Sequence, residues 1–192
     1  RLERELVFNP KNVEVVSKDV TNLLSSIGRL TAADEIKSWI RSGESKTIEF
    51  KETFSWDVNQ QLKGKHIEDA SLKTIAGFLN TDGGTLFVGV HDSGEISGVD
   101  FEIKKLHKCS NDNFLLYFKD KVKTKFREHY AKIDWTLEPV EGNQVLVVTA
   151  KQSDKPVFLD DVFYVRVNPA TDKLEGQRLL SYVEERFKLR SS

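Results

Sequence analysis

The sequence predicts an α/β (α+β) fold, a mixed β-sheet flanked by helices, with a helical extension at its N-terminus. Three observations carry this. Apolar residues recur at helical spacing in four separate stretches, and the segments between them alternate at period two. Strand, helix and strand follow one another between Lys46 and Val90. Near the C-terminus, by contrast, strands follow directly on one another across Glu141-Gly142-Asn143, a hairpin turn that requires an antiparallel pair.

Composition sets the limits. With 39% hydrophobic residues, 12 Phe and 3 Trp in 192 residues, the chain can bury a core of one domain plus a small extension. Lys and Arg number 29 against 30 Asp and Glu, a net charge of −1, which excludes a polybasic histone-like binder and an acidic tail. Cys109 is the one cysteine, so no intramolecular disulfide exists and no Cys/His cluster has zinc spacing. A reducing, cytoplasmic setting is the expectation. No apolar run approaches the roughly 20 residues that span a bilayer, and no signal-peptide pattern opens the chain, so no membrane partner is expected. The lack of any Met and the start at Arg1 predict a fragment or processed piece of a longer protein with a further domain upstream.

In order, Val16, Val20, Leu23, Leu24 and Ile27, then Ile36 and Ile40 after Gly28, predict two helices within residues 13–42, the second capped by Thr31 with Asp34 in its first turn and ended by Gly43. Ile48 and Phe50 alternate with Thr47, Glu49 and Lys51 in a half-buried strand. Residues 67–79 form a helix that meets Asn80-Thr81-Asp82-Gly83-Gly84, a turn whose glycines take positive φ. Residues 85–90 are a short apolar strand; His91 to Glu95 turn the chain and Gly98 closes a two-stranded excursion. An amphipathic helix is expected between Phe114 and Tyr130, then strands at 133–140, 144–151 and 162–167, and a last helix at 174–189.

The candidate chemistry lies on the first strand and after the second. Side chains at i and i+2 leave a strand on one face, so Glu49 and Lys51 emerge together. Carboxylates from separate elements hold hard cations such as Mg²⁺ or Mn²⁺ beside a phosphodiester, and a lysine neutralises charge developing on the phosphate. Alone, Glu-x-Lys is also what any solvated strand face presents. A second feature is basic: residues 104–132 carry nine Lys or Arg against Asp112, Asp120 and Glu128, a local surplus of +6. Lys119, Lys121, Lys123, Lys125 and Arg127, with Arg166 further on, are candidate phosphate contacts; a solvated helix face is the alternative. Tyr117, Tyr130 and Trp135 are candidates for base stacking or for the core. No Gly-x-x-x-x-Gly-Lys-Ser/Thr loop is present, and Ser45 has no partners at a nucleophile elbow.

Three runs add specificity: Ser42-Gly43-Glu44-Ser45-Lys46-Thr47-Ile48-Glu49-Phe50-Lys51, then the long run from Ile75 through Asn80-Thr81-Asp82-Gly83-Gly84 to Gly89-Val90-His91-Asp92, then Gly94-Glu95-Ile96-Ser97-Gly98. Together they resemble the Schlafen-type AlbA_2 domain family, strongly over residues 40–98 and weakly to the end, leaving residues 1–30 outside. The resemblance divides the chain into an extension, 1–42, and a Schlafen AlbA_2-like domain, 43–190. It implies a nucleic-acid-binding surface and, where an acidic triad is intact, a metal-dependent endoribonuclease acting on tRNA or other structured RNA. Glu44, Glu49 and Asp92 fall on the triad positions as ligands for Mg²⁺ or Mn²⁺, and Lys51 is the phosphate-side cation. His91 stands where an acid often does, and Leu79 replaces a common small residue. The family also implies a homodimer, since its lobes pair into a groove. The alternative is a non-catalytic DNA- or RNA-binding or regulatory dimerisation module of a larger, defence-related protein.

Overall fold

The computed structural model describes residues 10–187. The stretch read as two helices is one, α1 (Pro10–Ser42). Gly43 ends it at φ 78°. Gly28 fails to break it because one interior glycine costs only about 1 kcal/mol against alanine. The expected cap at Thr31 and Asp34 therefore lies inside a helix.

A four-stranded sheet in the order β1 (Ile48–Lys51), β4 (Gly84–Val88), β6 (Asn143–Ala150), β5 (Ile133–Val140) forms the centre. β1 and β4 are parallel and the other pairs antiparallel, which makes the sheet mixed. The parallel pair needs a crossover, supplied by a small hairpin, β2 (Trp56–Asp57) and β3 (Leu62–Lys63), and by α2 (Lys65–Asn80). Between β4 and β5 come α3 (Asp100–Leu106) and α4 (Asn111–Phe126), followed by a 3₁₀ turn over Arg127–Lys132. That turn takes the place of the last residues of the expected helix. A second, three-stranded sheet, β7 (Phe158–Leu159), β8 (Val162–Arg166) and β9 (Thr171–Leu174), precedes α5 (Gly176–Phe187). Lys188 and Leu189 of the expected final helix lie outside the described residues.

Strand alternation divides the core in two. Leu86 and Val88 of β4 and Leu146 and Val148 of β6 face α2 and α4, where Leu72, Ile75, Leu79, Phe114, Phe118, Val122 and Phe126 complete the larger cluster. Phe50, Phe87, Val145 and Val147 face the other way and are covered by Ile36 and Ile40 from the end of α1. The β5–β6 hairpin turn is of the primed kind, with Glu141 at φ 52° and Gly142 at φ 84°.

α2 lies between the two sheets, and Asn80 at its end accounts for part of the Asn80–Gly84 motif. Its amide is fully buried, donating to the carbonyls of Val157 and Tyr164 and accepting from the Val157 N–H, each at 2.8 Å. It pins the second sheet to the first. Tyr182 on α5 donates to the Asn80 carbonyl at 2.9 Å, closing the same junction.

Candidate nucleic-acid interface

The turn before β1 and the open edge of β1 place the acidic residues. Glu44 accepts from the Phe50 N–H at 3.0 Å, acting as a substitute partner for a backbone donor at the edge of the sheet. Glu49 and Lys51 do leave one face of β1 together, joined at 2.6 Å between Oε1 and Nζ. The other oxygen of Glu49 takes Nη1 of Arg166 at 2.8 Å. Asp92 is exposed in the turn after β4, and no hydrogen bond or ion pair from the described residues holds its carboxylate. Because β1 and β4 are parallel, Asp92 follows the end of the pair where Lys51 sits, whereas Glu44 precedes its start. Among the described residues no three His, Cys, Asp or Glu side chains converge as a cation site requires. As placed, then, the acidic residues do not fit Mg²⁺ or Mn²⁺: both oxygens of Glu49 hold cationic side chains, one of Glu44 holds a backbone donor, and the three carboxylates do not converge.

Arg166 corrects its assignment as a surface phosphate contact. Its side chain is 0% exposed, and it donates to Ser45 and Lys46 carbonyls, Thr171 Oγ1 and Glu49 while lying 5.0 Å from the centre of the Phe78 ring. It locks β8 to the turn that carries Glu44.

The basic residues of α4 divide by helix face. Phe114, Phe118, Val122 and Phe126 are buried, so Lys119 and Lys123, four residues apart, share the exposed side, and Arg127, the residue after the helix, is exposed as well. Among the described residues none of the three has an ion-pair partner. Lys121 and Lys125 are held instead, by Glu68 at 2.8 Å and by Asp160 at 2.5 Å. Lys104, Lys105 and Lys108 on and after α3 are also exposed and free of ion pairs with the described residues. The +6 segment thus presents most of its cations to solvent rather than neutralising them internally.

Tyr117, Tyr130 and Trp135 pack against the main core and are half-buried. Tyr117 also hydrogen-bonds Glu68, and burial together with that carboxylate pushes its phenol well above the usual range. The open aromatic surface is elsewhere. A cleft of about 300 Å³ lined by Glu52, Thr53, Trp56, Val58, Gln61 and Phe101 opens beside the end of β1. Phe101 is 48% exposed, meets Trp56 edge-on at 5.5 Å, and has Lys105 Nζ 5.3 Å from its ring centre. An exposed ring with a cation over it is the combination on which unpaired bases stack. No sequence pattern announces it, because Trp56 and Phe101 lie 45 positions apart and only the fold brings them together.

Glu102, next to Phe101 in the chain, fixes the segment that leads to Trp56. Its buried carboxylate accepts from the N–H groups of Phe54 and Ser55 at 2.9 Å and from the Ser55 hydroxyl at 2.7 Å. Burial raises its pKa, and these hydrogen bonds oppose the rise.

A mixed sheet covered on both faces, with helices α2 and α4 on one side and the end of α1 on the other, defines an α+β domain. The family model "Schlafen, AlbA_2" matches residues 44–175, more than half of the chain, and the protein belongs to that family. Among solved structures, the DIP2311 protein from Corynebacterium diphtheriae is similar at a TM-score of 0.53 and 19% identity, over 73% of this chain and 24% of that one. At this identity the likeness is one of fold, and the chain spans about a quarter of that structure's length. No curated protein sequence matches the chain.

Proposed function

We propose that the chain binds nucleic acid, structured RNA of the tRNA kind or DNA, through its basic face. The observation that carries this is the set of exposed cations without ion pairs among the described residues: Lys119 and Lys123 on α4 and Arg127 just after it, with Lys104, Lys105 and Lys108 nearby in sequence. Each one that meets a phosphate releases counterions, so affinity falls with salt. The Trp56–Phe101 cleft adds a stacking surface. The test is fluorescence anisotropy with tRNA and with duplex DNA over a salt series. Lys119→Gln with Lys123→Gln is expected to weaken binding and to lower the salt slope by about 1.5. Affinity indifferent to salt and to both substitutions overturns the proposal.

A second reading, a metal-dependent endoribonuclease, is favoured by the Glu49–Lys51 pair on one strand face and by Glu44, Glu49 and Asp92 standing at the triad positions. Among the described residues the side chains as placed do not make a cation site. Incubation with tRNA, with and without each ion, beside Asp92→Asn separates the readings. Metal-dependent fragments lost in the variant support the nuclease. A salt-sensitive complex without fragments leaves a binding or regulatory module of a larger, defence-related protein.

A further inference from the structure

We infer that α1 pairs with α1 of a second copy of this chain as a parallel, two-stranded coiled coil. α1 is 33 residues, about 50 Å long, and among the described residues it is its end that packs on the body, through Ile36 and Ile40. Upstream of that contact Val20, Leu23 and Leu24 are 49%, 61% and 64% exposed. Helical stability in water comes chiefly from packing an apolar face, so this stretch calls for a partner.

The sequence specifies which one. Val13, Val16, Val20, Leu23, Ile27 and Leu30 are spaced three and four apart in turn, the a and d positions of a heptad repeat. The a positions 13, 20 and 27 are all β-branched, and of the d positions 16, 23 and 30 the last two are Leu and the first Val, close to the combination that favours two parallel strands. The flanking e and g positions, Ser17, Leu24 and Thr31 with Asp19, Ser26 and Ala33, carry one charge between them. Identical helices therefore meet no like-charge row, and nothing there selects an oppositely charged partner.

The seam ends where the body begins. After Leu30 the next a and d positions are Asp34 and Lys37, which pair with each other at 2.9 Å. The apolar stripe passes to Ile36 and Ile40; Ile36 lies sixteen residues beyond Val20, about 160° around the helix. One helix thus presents one side to its own domain and nearly the opposite side to a second copy. This inference does not depend on nucleic-acid binding.

Sedimentation equilibrium across a concentration series tests it. The chain is expected at twice its 21.9 kDa mass, and Val20→Glu with Leu23→Glu, at positions the body does not touch, at its single mass with an unchanged thermal transition for the globular part. In a Cys109→Ser background, oxidised Val13→Cys is expected to form a covalent dimer. An antiparallel pair would put position 13 opposite position 30, about 25 Å away. A chain monomeric at every concentration, or a dimer that survives both glutamates, overturns the inference; a dimer that does not cross-link at position 13 overturns its parallel arrangement.

Discussion

At the residue scale, Glu49 and Arg166 show how a side chain proposed for chemistry can also hold the fold. Arg166 is buried, and Glu49 is its carboxylate partner. Removing one member of a buried pair typically costs about 3–5 kcal/mol because the other charge is left uncompensated. Glu49→Ala is therefore expected to lose stability on that scale in urea unfolding, while Asp92→Asn, exposed and without partners among the described residues, stays within about 0.5 kcal/mol of the parent. Equal stability of the two variants would remove Arg166 from its structural role. It follows that lost activity in Glu49→Ala would not by itself identify a metal ligand, whereas lost activity in Asp92→Asn would bear on chemistry.

His107 gives the molecule a pH dependence of known sign. Its ring packs 5.2 Å from Phe114 and 5.1 Å from Tyr117, and Nε2 has no hydrogen-bond partner among the described residues. Burial, with a smaller contribution from Lys63, lowers its pKa from the usual 6.5. Below about 6.5 the unfolded chain takes up a proton that the folded chain refuses, so stability falls as pH drops from there through the folded value. His107→Phe removes that step. The loss of stability between pH 7 and pH 5 is expected to shrink in the variant; an unchanged loss would assign the pH dependence to other groups.

At the scale of elements, glycines separate two demands that look alike in sequence. The turn motif predicts positive φ at both Gly83 and Gly84, and of the two Gly83 has it, at 80°. Gly84 is required for space: a Cβ there would meet the Phe78 ring at 2.5 Å and the Thr47 carbonyl at 2.7 Å. Gly84→Ala is expected to cost about 1–3 kcal/mol. Gly142, at φ 84° with nothing within 4 Å of where a Cβ would stand, accepts Asn, which tolerates the left-handed region. Comparable losses for Gly84→Ala and Gly142→Asn in urea unfolding would contradict this division.

The same scale explains what can be read in advance. α2 and α4 carry long, regular patterns because each buries one face, and β4 and β6 read as apolar runs because both of their faces are buried. β2, β3 and β7 are two residues long, too short for any period to show. Glu49 and Lys51 are legible as a pair because they share one strand; the burial of Arg166 is not, because most of its hydrogen-bond partners come from residues 45–49, more than a hundred positions away. In the basic segment the charge is visible in the sequence. Which lysines stay free is decided by Glu68 and Asp160, acids outside the segment.

At the scale of the whole molecule, the basic face and the projecting helix make a joint prediction. A parallel pair of α1 helices carries both globular bodies at the same end, since each body follows the C-terminal part of its own helix. Two basic faces on one particle turn the second contact with a long nucleic acid into an intramolecular event, which raises apparent affinity by about 10²–10⁴ where both sites can be engaged. Val20→Glu with Leu23→Glu is then expected to bind a long RNA at least about tenfold more weakly than the parent, while binding an oligonucleotide too short to reach both bodies equally well. Anisotropy with the two probes at one salt concentration checks this. Equal loss on both probes would mean that the helix itself touches nucleic acid, and no loss on either would mean that each body binds alone, with α1 pairing serving some other purpose.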